Sequence, residues 1–310
     1  MILIVNLNLA VDHIIEVDEL RAGGVQRSRR ERQQAGGKGV NVARVLKTLG
    51  EPSLLLGFCG GRAGALIESG LRDERIASRL TRIGAESRTC LVIDDLRRRE
   101  QTVINAPGAN IADAERREFQ ETYTRSLAGA ELVILTGSLP PNLSTDTYAR
   151  LATEADAAGK RVLLDCAGDP LRQALAAHPF IVKINGAEAA QIVSAPVEDF
   201  PGAARAARRM CELGAQNAMI TLGAEGALLD FTGARYTLVA PQVETVNSVG
   251  SGDAALAGLA AALLRGRTIE EAGTLAVAAG AANALHGAGA CSAEEIEELR
   301  PRVRCEMEKI

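Results

Sequence analysis

The sequence contains no tryptophan, and aromatic residues make up only 3% of it. Stacking platforms for single-stranded nucleic acid therefore have little material. Six cysteines (Cys59, Cys90, Cys166, Cys211, Cys291, Cys305) include no CxxC pair, and His13, His178 and His286 do not cluster. A zinc site or a disulfide framework is not expected, and a reducing cytoplasm is the expected compartment. The start, MILIVNLNLAVD, has no basic residues and is interrupted by Asn6, Asn8 and Asp12, so it does not read as a signal peptide. The longest apolar run, Ala254–Leu264, falls short of the roughly 18 residues of a membrane span and reads as a buried, Ala-rich helix. A net charge of −4 calls for neither nucleic acid nor an acidic membrane. Lysine is scarce, occurring only at 38, 47, 160, 183 and 309, which makes each one worth inspecting.

What is present is an ordinary globular composition, 47% hydrophobic and 24% charged, over 310 residues. Short apolar runs recur at Ile2–Val5, Ser53–Gly57, Leu132–Leu135, Arg161–Leu164, Ile181–Ile184 and Ala218–Leu222. Helical patterns lie between them at Val40–Leu49, Thr145–Ala158, Pro201–Leu213 and Ala254–Leu264. That alternation predicts an α/β fold, a doubly wound and mostly parallel sheet with helices on both faces. Ligands of such sheets sit at the carboxyl ends of the strands. Two segments break the rhythm. Residues 11–34 alternate polar and apolar around a turn at Arg21–Gly24, and residues 89–104 form a second hairpin-like pair around Arg97–Arg99. These predict a small β-sheet lid, leaving 1–10, 35–88 and 105–310 as the α/β core. An apolar lid face needs a cover, either a substrate cleft or a second subunit.

The stretch Val249-Gly250-Ser251-Gly252-Asp253 runs straight into the Ala-rich helix. Glycines there allow backbone N–H groups to converge on an anion, and Asp253 stands where it could take a proton from an attacking hydroxyl. An ordinary glycine turn with an aspartate N-cap fits the pentapeptide equally well. Ala35-Gly36-Gly37-Lys38-Gly39-Val40-Asn41 also leads glycines into a helix, with neither Walker A nor GxGxxG spacing. Lys38 and Asn41 would offer donors to a polyhydroxylated ligand. Lys183-Ile184-Asn185-Gly186-Ala187-Glu188 suits either Mg²⁺ held through water or a capping box. Thr221, Gly223 and Gly226 follow another strand and would admit a nucleotide close to the main chain. Ser138 follows the strand Leu132–Leu135, and Arg27, Arg29, Arg30, Arg32 and Arg88 flank or occupy the lid segments. Arginine forks suit a phosphate monoester, although charged runs are usually solvated faces.

Together AGGKGVNVAR, KINGAE, TLGAEGA and SVGSGDA, in this order, resemble the ribokinase-like (PfkB-type) carbohydrate kinase family over essentially the whole chain. The branch it is most similar to holds 1-phosphofructokinase and tagatose-6-phosphate kinase, with the minor 6-phosphofructokinase close by. The resemblance implies the doubly wound core with a β lid, and use of ATP with Mg²⁺. It implies Asp253 as catalytic base and Gly250, Ser251 and Gly252 as the anion hole. Asn185 and Glu188 match the Mg²⁺–ATP element, and Lys183, Thr221, Gly223, Gly226 and Asn283 match nucleotide positions. On the sugar-phosphate side it implies Asp12, Gly37, Lys38, Asn41, Arg88, Ser138 and, from the lid, Arg27. It also implies a homodimer formed through the lid.

Two positions depart from the branch, Leu9 and Ile184, where proline is usual; the second bears on how Asn185 is presented. The expected reaction is ATP-dependent phosphorylation of a ketohexose phosphate. Fructose 1-phosphate stands first, tagatose 6-phosphate and fructose 6-phosphate are the alternatives, and a non-catalytic sugar-phosphate sensor is the rival of another class. Lys38, Arg88 and the lid arginines argue against an unphosphorylated acceptor. A dinucleotide-dependent oxidoreductase fails because no glycine fingerprint follows the first strand.

Overall fold

A computed structural model describes residues 1–310. Its strands are β1 Ile2–Val5, β2 Ala10–Val17, β3 Arg30–Gly36, β4 Ser53–Gly60, β5 Ser78–Ile83, β6 Arg88–Asp95, β7 Glu100–Ile104, β8 Leu132–Thr136, β9 Arg161–Asp165, β10 Ile181–Asn185, β11 Ala218–Thr221, β12 Gly226–Phe231, β13 Ala234–Val239 and β14 Arg304–Lys309. Its helices are α1 Lys38–Thr48, α2 Gly61–Asp73, α3 Asp113–Leu127, α4 Thr147–Ala157, α5 Gly168–Leu175, α6 Gly186–Val193, α7 Phe200–Glu212, α8 Ser251–Leu264, α9 Ile269–Ala284 and α10 Ala293–Leu299.

Strands such as β1 and β8 are buried at every position, as expected of parallel strands covered on both faces. Alternation divides their side chains. Ile2 and Ile4 join the core under α1, α2, α8 and α9, while Leu3 and Val5 join the core under α3 to α7. The ten strands of the main sheet run in the order β14-β13-β12-β11-β10-β9-β8-β1-β4-β5. From β5 to β11 every pairing is parallel, and β12, β13 and β14 add an antiparallel end.

All six apolar runs are strands. The sequence reading passed over β12 and β13, and also β5, whose SRLTRI alternates, and β14, whose RCEMEK carries charges that blunt an open edge. Helix α8 begins at Ser251, three residues before the apolar run, so its first turn holds Asp253. Gly258 allows α8 and α9 to pack backbone to backbone: a Cβ there would stand 2.7 Å from the Leu275 carbonyl oxygen.

The two excursions form a second sheet in the order β3-β2-β6-β7. Each is an antiparallel pair, and a parallel β2–β6 pairing joins them, with Ala10 opposite Arg88. The first is not a tight hairpin. Residues 18–29 form a loop in which Asp18 pairs with Arg29, so Arg27 and Arg29 precede β3 and flank the lid strand. No helix is long and apolar enough to cross a membrane.

Candidate active site

Gly250 adopts the left-handed conformation, φ 83°, which turns the chain from the Val249 loop into α8. The N–H groups of Gly250, Gly252 and Asp253 find no partner within the protein, whereas that of Ser251 donates to the Ser248 carbonyl at 3.1 Å. Three open amides at a helix start make an anion-binding cradle. The expected trio is thus corrected at one position: Ser251 lends its turn to the cradle but not its amide. Its hydroxyl accepts from Asn283 Nδ2 at 3.0 Å.

Asp253 is 6% exposed and accepts a hydrogen bond from Asn41 Nδ2 at 2.9 Å. Burial pushes its carboxyl up to about 6 against the pull of Lys38 and Lys183, with Asp165 adding to the rise. A carboxylate held near neutrality in this way suits a general base.

Lys38 and Lys183 lie 145 positions apart in sequence and meet on a residue that sequence reading missed. Asp165, fully buried at the end of β9, accepts from Lys38 Nζ at 2.8 Å and from Lys183 Nζ at 2.9 Å. Burial alone would push the Asp165 carboxyl up, but the two ammonium groups hold it below the usual carboxylate range. For Lys38 burial is likewise outweighed, by Asp165, Asp253 and Glu188, and its ammonium is held well above the usual lysine value. A Cβ at Gly252 would stand 2.9 Å from Lys183 Nζ, so the glycine leaves the ammonium room beside the cradle. Lys38, expected with the sugar ligands, is held by Asp165 and Glu188 and acts electrostatically on Asp253.

Asn185 and Glu188 form a reciprocal capping box: Glu188 N–H donates to Asn185 Oδ1 at 2.8 Å, and Asn185 N–H to Glu188 Oε2 at 3.0 Å. The remaining oxygen, Glu188 Oε1, lies 3.3 Å from Lys38 Nζ. With β-region backbone at Asn185 and Ile184 fully buried in β10, isoleucine leaves the turn intact.

Two clefts meet at residues 249–253. One, of about 380 Å³, is lined by Thr221, Gly223, Gly226, Ser251 and Gly252, with Val243, Val277 and Ala281 around them. The other, of about 470 Å³, is lined by Asp12, Arg32, Gln34, Arg44 and Val249. Burial pushes the Asp12 carboxyl up while Arg44 and Arg88 restrain it, and no hydrogen bond occupies it.

At the carboxyl end of the sheet the chain end of β1 does much of the positioning. Asn6 Oδ1 accepts from Gly39 N–H at 2.9 Å, and a Cβ at Gly37, φ 112°, would stand 2.7 Å from the same oxygen. Asn8 Nδ2 donates to Ser138 Oγ at 3.0 Å. The Asn8 carbonyl accepts from Arg88 Nε at 3.0 Å and Nη2 at 2.8 Å, while Arg88 Nη1 donates to the Ala106 carbonyl at 2.9 Å. Arg88 is thus a fixed fork with two N–H bonds to spare. Neither asparagine was singled out from sequence, although both follow an apolar strand at its carboxyl end, where ligands are held.

Two expected site residues stand elsewhere. Asn283 is fully buried and lines neither cleft; it donates to the Val249 carbonyl and to Ser251 Oγ, both at 3.0 Å, and accepts from Gly289 N–H at 2.7 Å. It braces the cradle from behind. Arg27 lies at the far end of the lid, beside Asp18 and Arg97. Within one chain it does not reach Asp253's clefts.

A buried carboxylate next to an amide cradle, on a turn flanked by two clefts, suits a phosphotransferase, and the chain's relatives agree. The pfkB family carbohydrate kinase profile matches residues 2–295, and the chain belongs to that family. A 1-phosphofructokinase of Bacillus subtilis is 33% identical over 304 residues, covering 98% of this chain and 99% of the relative. A 1-phosphofructokinase of Xanthomonas campestris is 37% identical over 279 residues, covering 88% of each. Among solved structures, phosphofructokinase-2 of Escherichia coli in complex with substrates and products matches with a TM-score of 0.91 and 27% identity, covering 97% of this chain and 98% of that one.

Proposed function

We propose that this carbohydrate kinase transfers the γ-phosphoryl group of ATP to fructose 1-phosphate, giving fructose 1,6-bisphosphate. The observation that carries the reading is the buried Asp253 beside the amide cradle, on a turn whose Ser251 and Gly252 line an uncharged cleft suited to a nucleoside and whose Val249 lines a charged cleft suited to a polyol phosphate. The names of the relatives favour the 1-phosphate as acceptor. Tagatose 6-phosphate and fructose 6-phosphate are the alternatives that fit the same cleft.

In this mechanism Asp12 and Asn41 hold sugar hydroxyls, and Arg88 gives its two spare N–H bonds to the phosphate already on the substrate. Ser138, held by Asn8, orients the sugar beside it. Asp253 takes the proton of the attacking hydroxyl. The amides of Gly250, Gly252 and Asp253 stabilise charge on the transferred group, and the ammonium groups of Lys38 and Lys183, close to the cradle, balance it. Thr221, Gly223 and Gly226 admit the nucleotide against the main chain. The four-stranded lid covers the sugar and excludes water, which limits wasteful hydrolysis. Its β7 residues Val103 and Ile104 are 40% and 54% exposed, a surface suited to a second copy of the chain.

Glu188 Oε1 and the Asn185 amide fit Mg²⁺ held through water, because no cluster of three metal-ligating side chains offers a direct cage. Bound there, the ion supplies positive charge to the ATP phosphates.

The test is a coupled ADP-release assay against the three phosphosugars plus free fructose, ribose and adenosine. Strong preference for fructose 1-phosphate is expected. Preference for another ketohexose phosphate would reassign the substrate, activity on an unphosphorylated acceptor alone would overturn the role of Arg88, and no turnover at all would favour a sensor.

A further inference from the structure

Arg44, on α1 one turn after Asn41, engages all five of its N–H bonds inside the protein. Its Nε and Nη2 grip Glu74 at 2.6 and 2.7 Å, and Nη2 also donates to the Ala35 carbonyl at 2.8 Å. Its Nη1 donates to the Ala288 carbonyl at 3.3 Å and to Asn41 Oδ1 at 3.2 Å. With its side chain 12% exposed and no donor left, Arg44 has nothing to offer a substrate although it borders the sugar cleft.

The contact with Asn41 decides the direction of an amide. A guanidinium only donates, so Asn41 must turn its oxygen toward Arg44 and its NH₂ toward Asp253, where the bond is 2.9 Å. With the amide reversed, a carbonyl oxygen would face the carboxylate and repel it. The other anchors matter as well. Ala35 lies in the last residues of β3, where the lid joins the core, and Ala288 packs on the cradle: its Cα is 3.2 Å from where a Gly250 Cβ would be, and its N–H donates to the Val249 carbonyl at 2.8 Å.

We propose that Arg44 is a positioning residue for phosphoryl transfer, fixing the Asn41 amide so that it donates to the base, and tying that amide to the root of the lid and to the cradle. The proposal rests on the reading of Asp253 as the general base. The charged groups facing Asp253 are Lys38 from α1, Asp165 from β9 and Lys183 from β10. All are untouched by a change at Arg44. Losing the donated hydrogen bond removes a contribution that favours the ionised form, so the base titrates at higher pH.

The experiment compares kcat/KM for ATP at saturating phosphosugar, where Asp12 is covered, against pH for the wild-type enzyme, Arg44→Gln, Arg44→Lys, Asn41→Ala and the double variant Arg44→Gln/Asn41→Ala. Both Arg44 variants are expected to lower the plateau about tenfold and to move the acid limb up by roughly half to one pH unit. Lysine keeps the charge but cannot supply the fork, so its failure to rescue marks orientation instead of charge. Asn41→Ala is expected to move the limb equally, and the double variant no further. An unmoved limb in Arg44→Gln, rescue by lysine, or additive shifts in the double variant would each overturn the proposal. If Arg44→Gln does not fold, the acid limb of Arg44→Lys decides alone: a shift supports the proposal and an unmoved limb overturns it. Near-normal turnover of Asp253→Ala removes the base, and this proposal with it; an inactive Asp253→Ala beside an unmoved limb overturns this proposal alone.

Discussion

On one side of Asp253 the cleft wall is Val243, Val277 and Ala281; on the other it is Asp12, Arg32, Arg44 and Glu74. No lining residue of the first carries a charge. The second holds one fixed ion pair, the Arg44–Glu74 fork, ties Arg32 to the Gln34 amide, and leaves Asp12 without a partner. Under the proposed function, the contrast teaches how one sheet edge would serve two ligands. An apolar slot gains from burying a flat ring and asks little geometric precision of polar groups. A polyol phosphate demands oriented donors and acceptors, which must be held by other residues in advance. Substitutions can break this contrast at its seam and then on each side.

The largest effect is expected at the seam itself. Asp253→Ala should lower kcat by about 10³-fold or more while phosphosugar binding, measured by calorimetry, stays near normal. A near-normal kcat would remove the base from the mechanism. On the charged side, Arg88→Ala should raise KM for the phosphosugar by roughly 10- to 100-fold, the worth of charge-assisted hydrogen bonds, with KM for ATP unchanged. On the uncharged side, Ala281→Phe should crowd the slot and raise KM for ATP on the order of tenfold, leaving the phosphosugar KM alone. If either substitution moved both KM values together, the two clefts would not be separate subsites.

The same contrast explains what could be read from the residues alone. The core strands were legible because burial on both faces leaves unbroken apolar runs, as in Ile2–Val5 and Leu132–Leu135. The uncharged cleft was largely legible too, since Thr221, Gly223 and Gly226 follow such a strand directly. The charged side was only half legible. Asp12 and Arg88 carry their chemistry visibly, but Asn6 and Asn8, which hold Gly39, Ser138 and Arg88, look in sequence like the polar end of a strand. Asp165 was hidden for a different reason: its partners Lys38 and Lys183 stand 127 and 18 positions away, and only the sheet order brings them together. Asn283 shows the converse case. A match of motif position suggested a ligand contact, while full burial and three satisfied hydrogen bonds make it a brace.

The smallest effect is also the one that separates the seam from the charged cleft. Two carboxyls near the sugar are raised by burial, Asp253 to about 6 and Asp12 in the same direction. A base works only when ionised, so kcat/KM should fall as pH drops through about 6, standing at half its plateau at the midpoint and losing roughly tenfold for each further unit. In the proposed mechanism, saturating phosphosugar covers Asp12 with substrate hydroxyls and masks its titration. Asp253 still needs to be ionised to accept the proton. The acid limb should therefore persist in kcat/KM for ATP measured at saturating phosphosugar. Its disappearance there would assign the limb to Asp12 and to sugar binding, and would move the titrating group from the seam into the charged cleft.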